Sequence, residues 1–198
     1  MPLLLVIAAV AVYWFGFRKT ETIGDGPKQQ AIVAQQHSAA FNSGIDQLMN
    51  QYFVIKDAFV NADTLAAKQA VLQFTAAADS LKLDELKKDS SAIYESALAQ
   101  LNDIKTNAES IARQTDITEM RKDFWTVSEN IYPFLKTVHY EGKNLYWQNC
   151  PMAFGEDKGA NWISNSEEIV NPYLGKNHPE YKGTMLHCGE VKDTIKAQ

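Results

Sequence analysis

The sequence predicts a mostly α protein: an antiparallel four-helix bundle followed by an irregular, Cys/Met-bearing C-terminal tail packed on it. Three observations predict this. Apolar residues recur in alternating steps of three and four across residues 31–139, the spacing of one helix face. The connections between these stripes are short, which favours antiparallel neighbours. From Tyr140 onward the stripes give way to a segment holding six of the ten glycines and three of the six prolines.

Phe41, Ile45, Leu48, Tyr52, Ile55 and Phe59 trace the first helix. Ala67, Val71, Phe74, Ala78 and Leu81 trace the second, entered at Asp63, whose carboxylate suits an N-cap. Tyr94, Ala97, Leu101, Ile104, Ala108 and Ile111 form the third, behind Asp89, Ser90 and Ser91 as cap candidates. Ile117, Met120, Phe124, Val127, Ile131, Phe134 and Val138 form the fourth, where Asp116 with Glu119 resembles an acidic capping box. Small residues on the second and third helices imply close packing there. Pro133 lacks an N–H and is expected to kink the fourth helix or end it early. In the tail, Asn171-Pro172, His178-Pro179 and Cys188-Gly189 signal turns. Ile163 to Ile169 suits a single helical turn.

Residues 1–19 read as an N-terminal membrane anchor or signal, 20–30 as a polar linker, 31–139 as the helical bundle and 140–198 as the tail of the same domain. Leu3 to Phe17 is a run of apolar residues and glycine ending at Arg18-Lys19. Fifteen residues at 1.5 Å each span roughly 22 Å, short of a ~30 Å hydrocarbon core but too apolar to leave in water. Ala9-Val10-Ala11 resembles a cleavage site, whereas Tyr13, Trp14 and Phe15 beside Arg18-Lys19 resemble the interfacial end of an anchor. The expected location is periplasmic, anchored or secreted. Taken literally, Arg18-Lys19 would mark a cytoplasmic side.

Charge and composition exclude several classes. A net charge of −5 with no basic patch argues against a nucleic-acid partner. An apolar share of 45% is that of a globular chain with its own core. The motifs CxxC, CxxCH, HExxH and a Gly-rich phosphate loop are absent, so a non-enzymatic role is expected. Glu156, Asp157, Glu167 and Glu168 read as a solvated surface.

The tail nevertheless concentrates soft donors. Both cysteines, two of five methionines and three of four histidines lie after residue 138. Cys150-x-Met152 and Met185-x-x-Cys188 are each short enough to chelate from a turn, and thiolate with thioether suits Cu(I) better than hard cations. The candidate metal ligands are Cys150, Met152, Met185 and Cys188, with His187 beside Cys188 and His37 on the first helix stripe. Each has a plainer reading. Met152 and Met185 would fill gaps, His187 would be a solvated turn residue, His37 a hydrogen-bonded core histidine, and His178 a solvent-exposed loop residue. Cys150 and Cys188 would form a disulfide closing the tail in an oxidising compartment.

Longer strings carry a resemblance. Tyr146-Trp-Gln-Asn-Cys-Pro-Met-Ala-Phe154, Gly159-Ala-Asn-Trp-Ile-Ser164, Glu168-Ile-Val-Asn-Pro-Tyr-Leu-Gly175 and Met185-Leu-His-Cys-Gly-Glu-Val191 resemble the bacterial family catalogued as domain of unknown function 3347. The preceding helices resemble it more loosely, including His37-Ser-Ala-Ala-Phe-Asn42. The family occurs as stand-alone exported proteins and fused to adaptor subunits of heavy-metal efflux pumps. The resemblance implies copper or a related soft metal, and a heavy-metal efflux or copper-handling protein as partner. The expected function is Cu(I) binding for buffering, delivery or resistance. The alternative is a non-catalytic structural or interaction domain stapled by Cys150–Cys188 without metal.

Overall fold

The computed structural model describes residues 36–197 of the chain. Four α-helices come first: α1 (Ala39–Val60), α2 (Thr64–Ser80), α3 (Ser91–Arg113) and α4 (Ile117–Thr137), with a 3₁₀ turn, Asp84–Lys88, between α2 and α3. Each helix starts where a short polar side chain can take an orphan N–H. Ser38 accepts from Phe41, Asp63 from Ala66, Ser90 from Ala92, and Asp116 from both Thr118 and Glu119. The Glu119 carboxylate pairs with Lys122.

The expected stripes are the buried faces. All six α1 residues named above are buried, as are Ala97 to Ile111 of α3 and Met120 to Val138 of the α4 stripe. Leu81 falls just past the end of α2, half-buried at its C-cap. Consecutive helices pack against one another. Pro133 does not end α4, which continues to Thr137. The proline lies on the exposed face, where water can reach the carbonyl that its missing N–H leaves free.

The tail departs from expectation. Instead of an irregular segment it carries a three-stranded antiparallel sheet: β1 (Leu145–Cys150), β2 (Ala160–Ser164) and β3 (Glu190–Ile195), in spatial order β2-β1-β3. The helical turn expected over 163–169 is absent, since Ile163 lies in β2, paired with Trp147. Tyr146 pairs with Ser164 and Cys150 with Ala160 on one side of β1, while Leu145 pairs with Ile195 and Asn149 with Glu190 on the other. The central strand buries Gln148, whose amide holds the next loop by donating to the Ser166 carbonyl at 2.9 Å.

Aromatic packing joins the tail to the helices. Phe124 of α4 contacts Tyr52 and Phe59 of α1 and Tyr173 of the tail, with ring centroids 5.1, 5.2 and 6.1 Å away. Tyr173 in turn meets Trp162 edge-on at 5.9 Å. The Tyr52 hydroxyl accepts from the backbone N–H of Ile163 at 3.0 Å and shares a hydrogen bond with Ser128 at 2.7 Å. Burial raises the Tyr52 hydroxyl well above its ordinary pKa, and the bonds to Ser128 and Ile163 offset only part of that rise. A backbone approach adds to this: Lys176 donates to the Val60 carbonyl at 2.7 Å, which brings Gly175 against the end of α1.

No described helix is long and apolar enough to cross a membrane. The Leu3 to Phe17 run, the 20–30 linker and the start of the 31–139 segment lie outside the described residues.

Candidate functional site

Cys150 is the last residue of β1, and the antiparallel register brings the strand after Cys188 back beside it. Asn149 pairs with Glu190, so continuing the ladder one step sets Gly189 and Cys188 opposite the Cys150 end. Two further features fix Cys188. Gly189 has φ of 145°, and a Cβ there would lie 2.7 Å from the Asn149 carbonyl oxygen. Only glycine fits that conformation and that approach to β1. Asn171, fully buried, donates to the Cys188 carbonyl at 2.8 Å, and its own carbonyl oxygen accepts from Tyr173 and Leu174. The Met185 carbonyl accepts from Cys188 at 3.0 Å, closing the final turn.

The outcome is a contact between the two sulfurs. Cys150 Sγ and Cys188 Sγ lie 2.8 Å apart, unbonded, with Cys150 0% exposed and Cys188 half-buried. Burial first, then the hydrogen bond and charge of Cys150, push the Cys188 thiol up to about 12. It therefore stays protonated at neutral pH and is a poor nucleophile for thiol exchange.

The other expected ligands divide. Met152 and Met185 are half-buried against the core, in the turns that follow Cys150 and precede Cys188. His187 is exposed, and its Nδ1 donates to the Ile169 carbonyl at 2.7 Å, leaving Nε2 as its only candidate metal-binding nitrogen. His37 belongs elsewhere. Its ring, with a side chain 2% exposed, packs on Phe41 and donates from Nε2 to the Val138 carbonyl at 2.8 Å. Its partners are Phe41, Val138, Glu85 and Glu141, none of them in the turns that carry the two thiols. Among the described residues, no group of three or more His, Cys, Asp or Glu side chains could hold a metal ion.

Several residues that hold the site had no sequence signal. Asn171 belongs to an expected turn and Gln148 to a tail expected to be irregular, yet both are buried and pin backbone. His178, read as solvent-exposed, is half-buried; its Nδ1 accepts from Glu180 and Tyr181 at 3.3 Å each. The one usable hint was Asn171-Pro172, since Asn commonly folds its side chain onto the next N–H groups.

A family model described as "Protein of unknown function (DUF3347)" matches residues 48–143. The chain resembles this family. The matched stretch runs from Leu48 of α1 past the end of α4 and stops before β1, so it covers the helices and not the tail strings. No curated protein and no solved structure matches the chain.

Proposed function

We propose that this chain works outside the cytoplasm as a non-catalytic interaction domain, its helices packed as an antiparallel four-helix bundle and its tail stapled by a Cys150–Cys188 disulfide. The observation that supports it is the 2.8 Å separation of the two sulfurs. A disulfide needs them to close to about 2.05 Å. A tetrahedral metal with sulfur at about 2.3 Å would need them to open to roughly 3.8 Å. Complete burial of Cys150 favours the closed pair over an open thiolate site. Bridging 38 positions of chain would stabilise the fold by about 4 kcal/mol through the unfolded state. Urea unfolding of the oxidised and the reduced protein tests this. A difference below about 1 kcal/mol would remove the staple.

A second reading keeps the thiols reduced and makes them a Cu(I) site for buffering or delivery to a copper-handling or heavy-metal efflux protein. What favours it is that Met152 and Met185 lie in the same turns as the two thiols, since a disulfide has no use for thioethers. Under this reading Met152→Leu and Met185→Leu weaken Cu(I) uptake, with a stability cost below about 1.5 kcal/mol because leucine conserves volume. Reduced protein that takes up no Cu(I) would end it.

A further inference from the structure

Arg121, in the second turn of α4, is 2% exposed. Its guanidinium donates from Nε to the Pro172 carbonyl at 3.0 Å and from Nη2 to the Phe59 carbonyl at 2.9 Å. Of five N–H donors, two are used in this way, which leaves three without a protein partner among the described residues. Neither partner carries a formal charge, and no described carboxylate lies within ion-pair distance. A buried cation without a counter-charge is costly. The two carbonyls explain how Arg121 ties α1 to the tail; they do not neutralise it.

This guanidinium borders a cavity of about 200 Å³, walled by Thr118, Phe154, Tyr173, His178 and Tyr181. The walls are aromatic, with His178 and Tyr181 stacked at 4.9 Å and Phe154 and Tyr173 at 5.3 Å. His178 accepts at Nδ1 from two backbone N–H groups, so its proton sits on Nε2. Burial, and secondarily the charge of Arg121, lower its pKa, which keeps the ring neutral. Glu180, exposed, also borders the cavity and opposes a second negative charge. The volume is below the roughly 300–1,000 Å³ of pockets for drug-sized ligands.

We infer that this cavity binds a small monocarboxylate, its carboxylate on Arg121 and its apolar body between Phe154, Tyr173 and Tyr181. A carboxylate takes parallel N–H bonds from a guanidinium, and a flat body fits the aromatic walls. The Glu180 charge disfavours a phosphate dianion. The inference stands apart from the disulfide reading, because the cavity is present with both thiols unbonded.

Calorimetric titration of the full chain with benzoate, benzamide and inorganic phosphate tests it. Benzoate should saturate one site at least about tenfold more tightly than benzamide or phosphate. Arg121→Met should lower benzoate affinity by at least about tenfold. Because that variant also loses the ties to Phe59 and Pro172, Phe154→Ala serves as a second test and should weaken benzoate without removing the charge. No saturable benzoate uptake, equal affinity for benzamide or phosphate, or unchanged benzoate affinity in Phe154→Ala would overturn the site.

Discussion

Replacing Phe124 with alanine removes the ring on which α1, α4 and the tail converge. The side chain is fully buried and surrounded by Tyr52, Phe59 and Tyr173. Burying a large aromatic removes about 150–250 Å² from water, and at about 25 cal/mol per Å² this is worth roughly 4–6 kcal/mol. Alanine keeps the Cβ and the neighbours relax in part, which returns the estimate to about 3–5 kcal/mol. The upper half of that range is expected, because three rigid rings from different elements cannot collapse onto one another. For a chain of this size the melting temperature should fall by roughly 8–20 °C. Trp125→Ala is the internal control: Trp125, next in sequence, is itself 36% exposed, with its indole N–H on Glu129. Urea unfolding followed by circular dichroism should show a lower midpoint for Phe124→Ala with an unchanged slope. A loss below about 1 kcal/mol, or one no larger than that of Trp125→Ala, would refute the junction.

Three further outcomes can be checked on the same protein. Gly175→Ala would place a Cβ 2.8 Å from the Val60 Cα and should cost about 1–3 kcal/mol in urea unfolding, as overpacking against backbone does. Asn171→Ala strips partners from the Tyr173 and Leu174 N–H groups and the Cys188 carbonyl, so a loss of about 2–4 kcal/mol is expected by the same assay. Lys136 first, then Tyr132, hold the Asp193 carboxyl down to about 2, below its unfolded value near 3.9. That contribution is complete above about pH 4 and vanishes as pH falls through about 2, and for a side chain 45% exposed it stays below about 1 kcal/mol. Thermal unfolding of wild type and Asp193→Asn between pH 5 and 2 should show their gap closing towards the acid end.

The helices were legible because each stripe obeys one period and each start carries its own cap. Asp63 and Asp116 occupy the N-cap positions read from the residues alone, and Ser90 is the one chosen from Asp89, Ser90 and Ser91. The sheet was not legible. Its strands carry Gln148, Asn149, Asn161, Lys192 and Asp193, residue types weak in strands. Its outer strand β3 is largely exposed, so no alternation marks it. What holds these strands is long-range: the Tyr52 hydroxyl on the Ile163 N–H, and Glu129 of α4 accepting from Asn161. The pairing of Cys150 with Cys188 could be named as a candidate from the sequence. Their meeting depends on Gly189 crossing β1 and on the buried Asn171, whose local signals mark turns and do not say what those turns bring together. His37 was placed on the correct apolar face, but the face ends at Val138 and Glu141 and not at the thiols.

The account rests on the two sulfurs, and a thiol count on protein made by exporting cells tests it most directly. The full chain is isolated without reductant, denatured in excess alkylating reagent and weighed by mass spectrometry, then weighed again after reduction. The stapled domain predicts no alkylated cysteine before reduction and both Cys150 and Cys188 alkylated after it. Two free thiols at isolation, with copper co-purifying in proportion to protein, would contradict the staple and establish the metal reading in its place.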